Sequence, residues 1–150
     1  MNIEIRDAVP ADRDVIVRFN ADLARETEGK TLDEARLAAG VDRLLAERNR
    51  GRYFLATVDG RVVGSTMITM EWTDWRDGWF WWIQSVWVEP DCRRQGVFGA
   101  LYRHVRELAR TDPDVRGLRL YVEGANQRAQ DTYGAMGMVM TGYRVMEEEF

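Results

Sequence analysis

Histidine, cysteine and lysine each occur once in 150 residues, as His104, Cys92 and Lys30. A lone cysteine closes no disulfide within its own chain, which fits a reducing compartment. One His and one Cys fall short of the ligand set of an ordinary His/Cys zinc site, so no metal is expected. Any Ser-His-Asp arrangement would have to be built around His104. A Schiff-base lysine would have to be Lys30, which lies in a polar stretch that does nothing to lower its pKa. No apolar run approaches the roughly 18–20 residues of a membrane span, so no membrane partner is expected. The N-terminus MNIEIRDAVP lacks the apolar core of a secretory signal, and the cytoplasm is the expected location. A basic excess is also missing: the formal net charge is -4 and the pI about 5.1. No general positive field is present to recruit nucleic acid. Neither GxxxxGK[ST] nor GxGxxG occurs, which excludes a Walker loop and a dinucleotide fingerprint.

What is present is enough for a core. Hydrophobic residues make up 45% and charged residues 31%, a balance expected of one compact domain over residues 1–150. Ile3 to Val9 alternates as a short strand. Pro10 then opens a helix with apolar positions at Val15, Ile16, Phe19 and Leu23. Glu26 to Lys30 breaks it, and Thr31 with Glu34 has the form of a capping box for a second helix carrying Leu37, Val41, Leu44 and Leu45. Tyr53–Val58 and Arg61–Met70 flank Asp59-Gly60, a hairpin turn signal. A polar loop, Glu71 to Gly78, leads to Trp79–Val88, which is apolar on both faces and reads as a central strand. Val97, Leu101, Val105 and Leu108 then mark a helix, Leu118–Glu123 a strand, Ala125 to Met136 a helix, and Met138–Met146 a last strand. The predicted order is β-α-α-β-β-β-α-β-α-β, an α/β (α+β) domain with a mixed central sheet flanked by helices.

The segment Val88-Glu89-Pro90-Asp91-Cys92-Arg93-Arg94-Gln95-Gly96-Val97-Phe98-Gly99-Ala100-Leu101 places an Arg-rich turn between a buried strand and the start of an amphipathic helix. The open N–H groups and dipole of a helix start attract anions, and Gly96 lets a ligand approach the backbone. This stretch resembles motif A of the GNAT (GCN5-related N-acetyltransferase) superfamily, [RQ]-x-x-G-x-[GA]. Arg93, Gly96 and Ala100-Leu101 match, and Phe98 stands where Gly or Ala is commoner. A second stretch is also similar: Leu120-Tyr121-Val122-Glu123-Gly124-Ala125-Asn126-Gln127-Arg128-Ala129, followed by Tyr133 and Gly137-Met138. It follows the superfamily's L-x-V-x-x-x-N-x-x-A-x-x-x-Y-x-x-x-G-[FM] pattern in full register.

The resemblance implies the GNAT fold, acetyl-CoA as co-substrate and an amine as acceptor. It implies that the pyrophosphate rests on the backbone of Arg94, Gln95, Gly96, Val97, Phe98 and Gly99, with Arg93 at the head of the motif. The pantetheine arm would pair with the central strand at Val86 and Val88, and Asn126 would bond the same arm as well as cap its helix. An N–H near Val86 or Trp87 would hold the charge that develops on the thioester oxygen. Tyr133 matches the family's acid for the departing thiolate. Glu71, at the mouth of the polar loop, is the expected base, with a water chain as the alternative. Glu26 and Glu28, between the first two helices, border the family's acceptor site. Trp72 and Trp75 sit in an acidic loop where they could meet an ammonium group. The acceptor is expected to be a small-molecule amine. A protein N-terminus or lysine, and a non-catalytic acyl-CoA-binding module, stay open beside it. A homodimer through the Trp-rich strand is left open too.

Overall fold

The computed structural model describes residues Met1–Phe150. Their elements run β1 (Ile3–Asp7), α1 (Arg13–Glu28), α2 (Glu34–Ala46), β2 (Arg52–Val58), β3 (Arg61–Thr73), β4 (Gly78–Val88), α3 (Val97–Thr111), β5 (Val115–Leu120) and α4 (Gln127–Ala135). Short 3-10 turns precede α1, join β3 to β4 and follow β4. The chain forms two compact units, Met1–Leu120 and Tyr121–Phe150.

The first unit holds one mixed sheet in the order β1-β2-β3-β4-β5. The first three pairings are antiparallel and β4–β5 is parallel. The Asp59-Gly60 turn works as its sequence demands, since both residues take positive φ, 49° and 79°, the twist that a two-residue hairpin needs. Strand alternation then splits β2 between two layers. Tyr53 and Leu55 face α1 and α2, where they pack with Ile16 and Val41. Phe54 faces the other way and meets the His104 ring of α3 at 5.4 Å. On that same side a Cβ at Gly64 would stand 3.0 Å from both Val97 Cγ1 and the Trp87 carbonyl oxygen. The missing side chain lets the start of α3 settle closely onto β3.

Several boundaries depart from the sequence reading, among them the strand expected at Leu118–Glu123, which runs over Val115–Leu120 as β5. The helix predicted to break at Glu26 continues to Glu28 and ends on Gly29, whose φ of 63° makes the left-handed cap, so Glu26 and Glu28 form the last turn of α1. The cap of α2 is Asp33, which accepts from the Arg36 N–H at 3.0 Å, rather than Thr31. A carboxylate so placed meets both the open N–H and the helix dipole. Half of the predicted loop from Glu71 to Gly78 is strand, with only the 3-10 turn and Asp77 left to connect: Glu71, Trp72 and Thr73 pair with Phe80, Trp79 and Gly78.

The second unit contains α4 and no strand; Met138–Met146, read as a last strand, lies outside helix and sheet. Val139, Tyr143, Val145 and Met146 are all exposed. Alternation of apolar residues describes what a strand would bury, but a strand forms only against a hydrogen-bonded neighbour.

Asp12 ties β1 to α1. Its carboxylate accepts from both terminal nitrogens of Arg6, at 2.8 and 2.9 Å, and from the Val9 N–H at 2.8 Å. The Arg6 bonds hold this carboxyl below the usual aspartate range, against the opposing effect of burial. Asp12→Ala should lower unfolding free energy at neutral pH by about 1–3 kcal/mol, the cost of leaving such partners unpaired. The depressed pKa makes this stabilisation complete above about pH 4 and lost as pH falls through the folded value. Urea midpoints of wild type and variant should therefore separate at neutral pH and converge in acid. Equal midpoints at neutral pH would show that the contact contributes nothing.

Candidate active site

The site begins where β4 outruns its neighbour. The last β4–β5 pair is Ile83 with Leu120, yet β4 continues to Val88. On its other edge β3 stays paired, with Gly64 opposite Val88 and Ser65 opposite Trp87. The Glu89 N–H donates to Val63 O at 2.8 Å. Counting back by strand alternation, Trp87 points its N–H to β3 as well. Val88 and Val86 turn theirs into the gap beyond the end of β5. These are the backbone groups expected to meet the donor arm.

A bulge sets that phase. Ser65 pairs with Trp87 and Met67 with Gln84, so Thr66 alone stands opposite both Ser85 and Val86. Ser85 absorbs the extra residue with φ at 51°, a left-handed conformation inside a strand. For a residue with a Cβ this costs about 1–2 kcal/mol and persists only where its surroundings hold it. Bulges re-aim the strand beyond them.

Past β4 the chain turns into α3 through residues 93–96. Arg94 and Gly96 are left-handed, with φ at 61° and 88°. Gly96 is the N-cap of α3 and no side chain caps the helix. The first bond of α3 runs from the Ala100 N–H to Gly96 O at 3.0 Å, so the N–H groups of the first turn have no acceptor within the helix. A backbone curled this way, at the positive end of a helix dipole, is an anion cradle. The Gln95 side chain steadies the turn by donating to Asp91 O at 3.0 Å. Val97 is buried beneath it, and the half-buried Phe98 ring lies 6.3 Å from that of Tyr102.

Arg93 is a brace of this turn, reaching back toward α1. It donates to both Glu26 oxygens at 2.7 and 2.8 Å and to Val88 O at 2.9 Å, and it stacks 4.9 Å over the Trp87 ring. Arg93 in turn holds the Glu26 carboxyl below its ordinary range. The Trp87 indole N–H donates to Glu89 at 3.1 Å, and Glu89, only 8% exposed, also accepts from Arg18 at 3.1 Å. Asp22, Glu26, Trp87 and Glu89 line a recess of about 280 Å³ beside the end of β4. Sequence spacing pointed to Glu26 but missed Glu89 and Asp22, which acquire meaning only when α1 meets β4.

The other residues expected near the acceptor lie elsewhere. Glu71 is opposite Phe80, six residues before Val86, or roughly 20 Å along the strand at 3.3 Å per residue. Its carboxylate accepts from Arg119 at 2.7 Å. Glu71 therefore cannot take a proton directly from an amine at Val86. Trp72 and Trp75 are at the same far end. Trp72 meets the Trp79 ring edge-on at 4.9 Å, and Trp75 is 87% exposed. Glu28 pairs with Lys30 at 3.8 Å.

In the second unit Asn126 caps α4, its side-chain oxygen accepting from the Ala129 N–H at 3.1 Å. Tyr133 is half-buried in the last turn of that helix.

The cradle yields a direct test. Nothing lies within 4 Å of a Cβ built on Gly96, so Gly96→Val should suffer from its left-handed backbone rather than from a clash. The variant should melt several degrees lower, remain folded, and show none of the thermal stabilisation by acetyl-CoA expected of the wild type. Undiminished stabilisation would remove this turn as the seat of the pyrophosphate.

Comparison with known proteins agrees with this geometry. The model of the Acetyltransferase (GNAT) family matches residues 18–138. A possible acetyltransferase from Clostridium difficile 630 superposes with a TM-score of 0.93 and 43% identity, covering 100% of this chain and 99% of that one. A ribosomal-protein-alanine N-acetyltransferase from Brucella melitensis biovar Abortus 2308 shares the fold at 16% identity and TM-score 0.77, over 99% of each chain. An aminoglycoside acetyltransferase from an uncultured soil metagenomic sample does so at 16% identity and TM-score 0.76, over 100% of each chain. No curated protein matches the sequence. With a family match across most of its length and a solved relative of nearly half-identical sequence, the chain belongs to the GNAT family of acetyltransferases.

Proposed function

We propose that this acetyltransferase moves the acetyl group of acetyl-CoA to the primary amine of a small molecule by direct attack. The observation that carries the donor half is the juxtaposition of an uncapped, left-handed turn at 94–96 with the stretch of β4 at Val86 and Val88 that β5 leaves uncovered. One fits a pyrophosphate and the other an amide-containing arm. The amine nitrogen forms its bond to the acetyl carbon as the carbon–sulfur bond breaks. The Val86 N–H faces the side where the oxygen's charge grows, and such a donor lowers the barrier by roughly 3 kcal/mol.

The acceptor half rests on the recess at Asp22, Glu26, Trp87 and Glu89. At about 280 Å³ it stands at the small end of ligand pockets, and its lining mixes the carboxylates with Arg25. Proton removal from the ammonium falls to water, since Glu71 is distant. On the strength of the second motif we assign Tyr133 as the acid that protonates the thiolate and Asn126 as a further ligand of the pantetheine arm. We also read residues 1–150 as one catalytic domain, which the family match across both units supports. A cytoplasmic location is supported by the single, buried Cys92.

Free-thiol release from acetyl-CoA against a panel of small amines and short peptides tests the acceptor class. Turnover of small amines is expected. Turnover of peptides alone would favour the protein reading, and donor binding without any turnover would favour an acyl-CoA-binding module. Tyr133→Phe should lower kcat by about 10²- to 10⁴-fold with donor affinity little changed. The loss should shrink with a thioester whose leaving thiol is more acidic. Equal single-turnover rates for both proteins would remove Tyr133 from the mechanism.

A further inference from the structure

Arg103 lies against the field of its own helix. Gly96, Gly99 and Arg103 recur at i, i+3 and i+7 and share one stripe of α3, opposite the buried Val97, Leu101 and Val105. A Cβ built on Gly99 would stand 3.0 Å from one terminal nitrogen of Arg103 and 3.7 Å from its guanidinium carbon. Helical Cα–Cβ bonds tilt toward the N-terminus, so the charged head is folded back over the first turn, on the side of Gly96. The missing side chain at Gly99 leaves it that room. A conventional partner was within reach in the other direction. Glu107, four residues on, stands at the spacing of a helical ion pair, yet the exposed Arg103 side chain makes no ion pair or hydrogen bond with it or with any other residue.

A cation is favoured at the C-terminal end of a helix and opposed at the N-terminal end. The first turn of α3 has neither an acidic side chain nor a side-chain cap to offset that opposition. An anion seated between the guanidinium and the open N–H groups would satisfy both. We propose that Arg103 is a ligand of the donor's diphosphate, an arm folded back from the second turn of α3 onto the cradle formed by the first. This deepens the donor half of the proposed function and rests on it. Arg103 lies beyond the residues that carry the family resemblance, one helical turn past Gly99. Backbone N–H groups position a diphosphate but bring only partial charge. A guanidinium adds a full charge and a planar fork of donors that matches two phosphate oxygens. Arg93 is not available to supply it, since Glu26 and Val88 O already occupy its nitrogens. The diphosphate is the target, rather than the donor's 3′-phosphate, because the guanidinium lies over Gly99, within the cradle itself.

The test measures donor binding by calorimetry on the full chain with no acceptor present, so the class of acceptor does not enter. Arg103→Ala should weaken acetyl-CoA binding about tenfold, the effect of one charge-assisted hydrogen bond. 3′-Dephospho-acetyl-CoA keeps the diphosphate and should lose the same factor. S-Acetylpantetheine has no phosphate and should bind both proteins alike. The difference between wild type and variant should shrink as salt is raised, because the contact is exposed. Without ligand the variant should melt at the same temperature or higher, since the substitution relieves the helix dipole. Equal affinities for acetyl-CoA would overturn the proposal. A loss that disappears with the dephospho donor would also overturn it, by moving the contact to the 3′-phosphate. An equal loss with S-acetylpantetheine would do so too, by marking a general disturbance of the site. A wild type that binds no acetyl-CoA would be a different result: it removes the donor reading itself, and the assignment of Arg103 with it.

Discussion

Every feature of the donor site depends on one asymmetry in the sheet. β4 is hydrogen-bonded to β3 along almost its whole length but to β5 only as far as Ile83. Backbone N–H and C=O groups inside a protein must find partners, and the groups of Val86 and Val88 on the β5 side have none from that strand. On the proposed reading, a bound peptide-like arm completes what β5 leaves unfinished. The bulge at Ser85 makes this edge specific, since it sets which residues of β4 face the gap. A regular strand there would present the neighbouring set instead.

The turn after β4 is fixed by charge as well as by packing. Arg93 bonds a carboxylate in both oxygens, a backbone carbonyl and an aromatic face at once. That combination uses the planar, multi-donor character of guanidinium, and a lysine could not reproduce it. Glu89 does the converse, as a buried carboxylate gathering an indole N–H and an arginine. Together they bolt the end of α1 to the end of β4. The residues that border the recess are thus the same ones that hold the turn before α3 in place. The chain carries no side-chain cap at Gly96, so the helix dipole is left for a ligand to meet. On the proposed reading, the helix start forgoes a side-chain cap so that its N–H groups can meet a phosphate.

Most of the fold is legible in the sequence because its signals are local. Asp59-Gly60 dictates its hairpin, Val97, Leu101 and Val105 their buried stripe, and Gly96 its left-handed cap. The Arg93-to-Gly99 turn is legible for the same reason, a helix start whose chemistry lies in consecutive residues. What the sequence hides is set by partners far along the chain. Glu71 reads as the carboxylate nearest the chemistry until the β3–β4 register places it beside Phe80 and in the grip of Arg119. The bulge at Ser85 is invisible because it exists only in the register of two strands. A lone serine within an aromatic, β-branched strand is the one hint. Met138–Met146 shows the opposite error: a pattern fit for a strand, with no neighbour to make it one.

The account's central claim is that the donor lies along the free edge of β4 with its phosphates on the turn before α3. Titrating the ¹⁵N-labelled chain with acetyl-CoA tests it at the level of single amides. Gly96, Val97 and Gly99 should shift together with Val86 and Val88, while amides at the Trp72–Trp79 end of the hairpin stay in place. Saturable shifts confined to that far end, with the turn and the β4 edge unmoved, would contradict it.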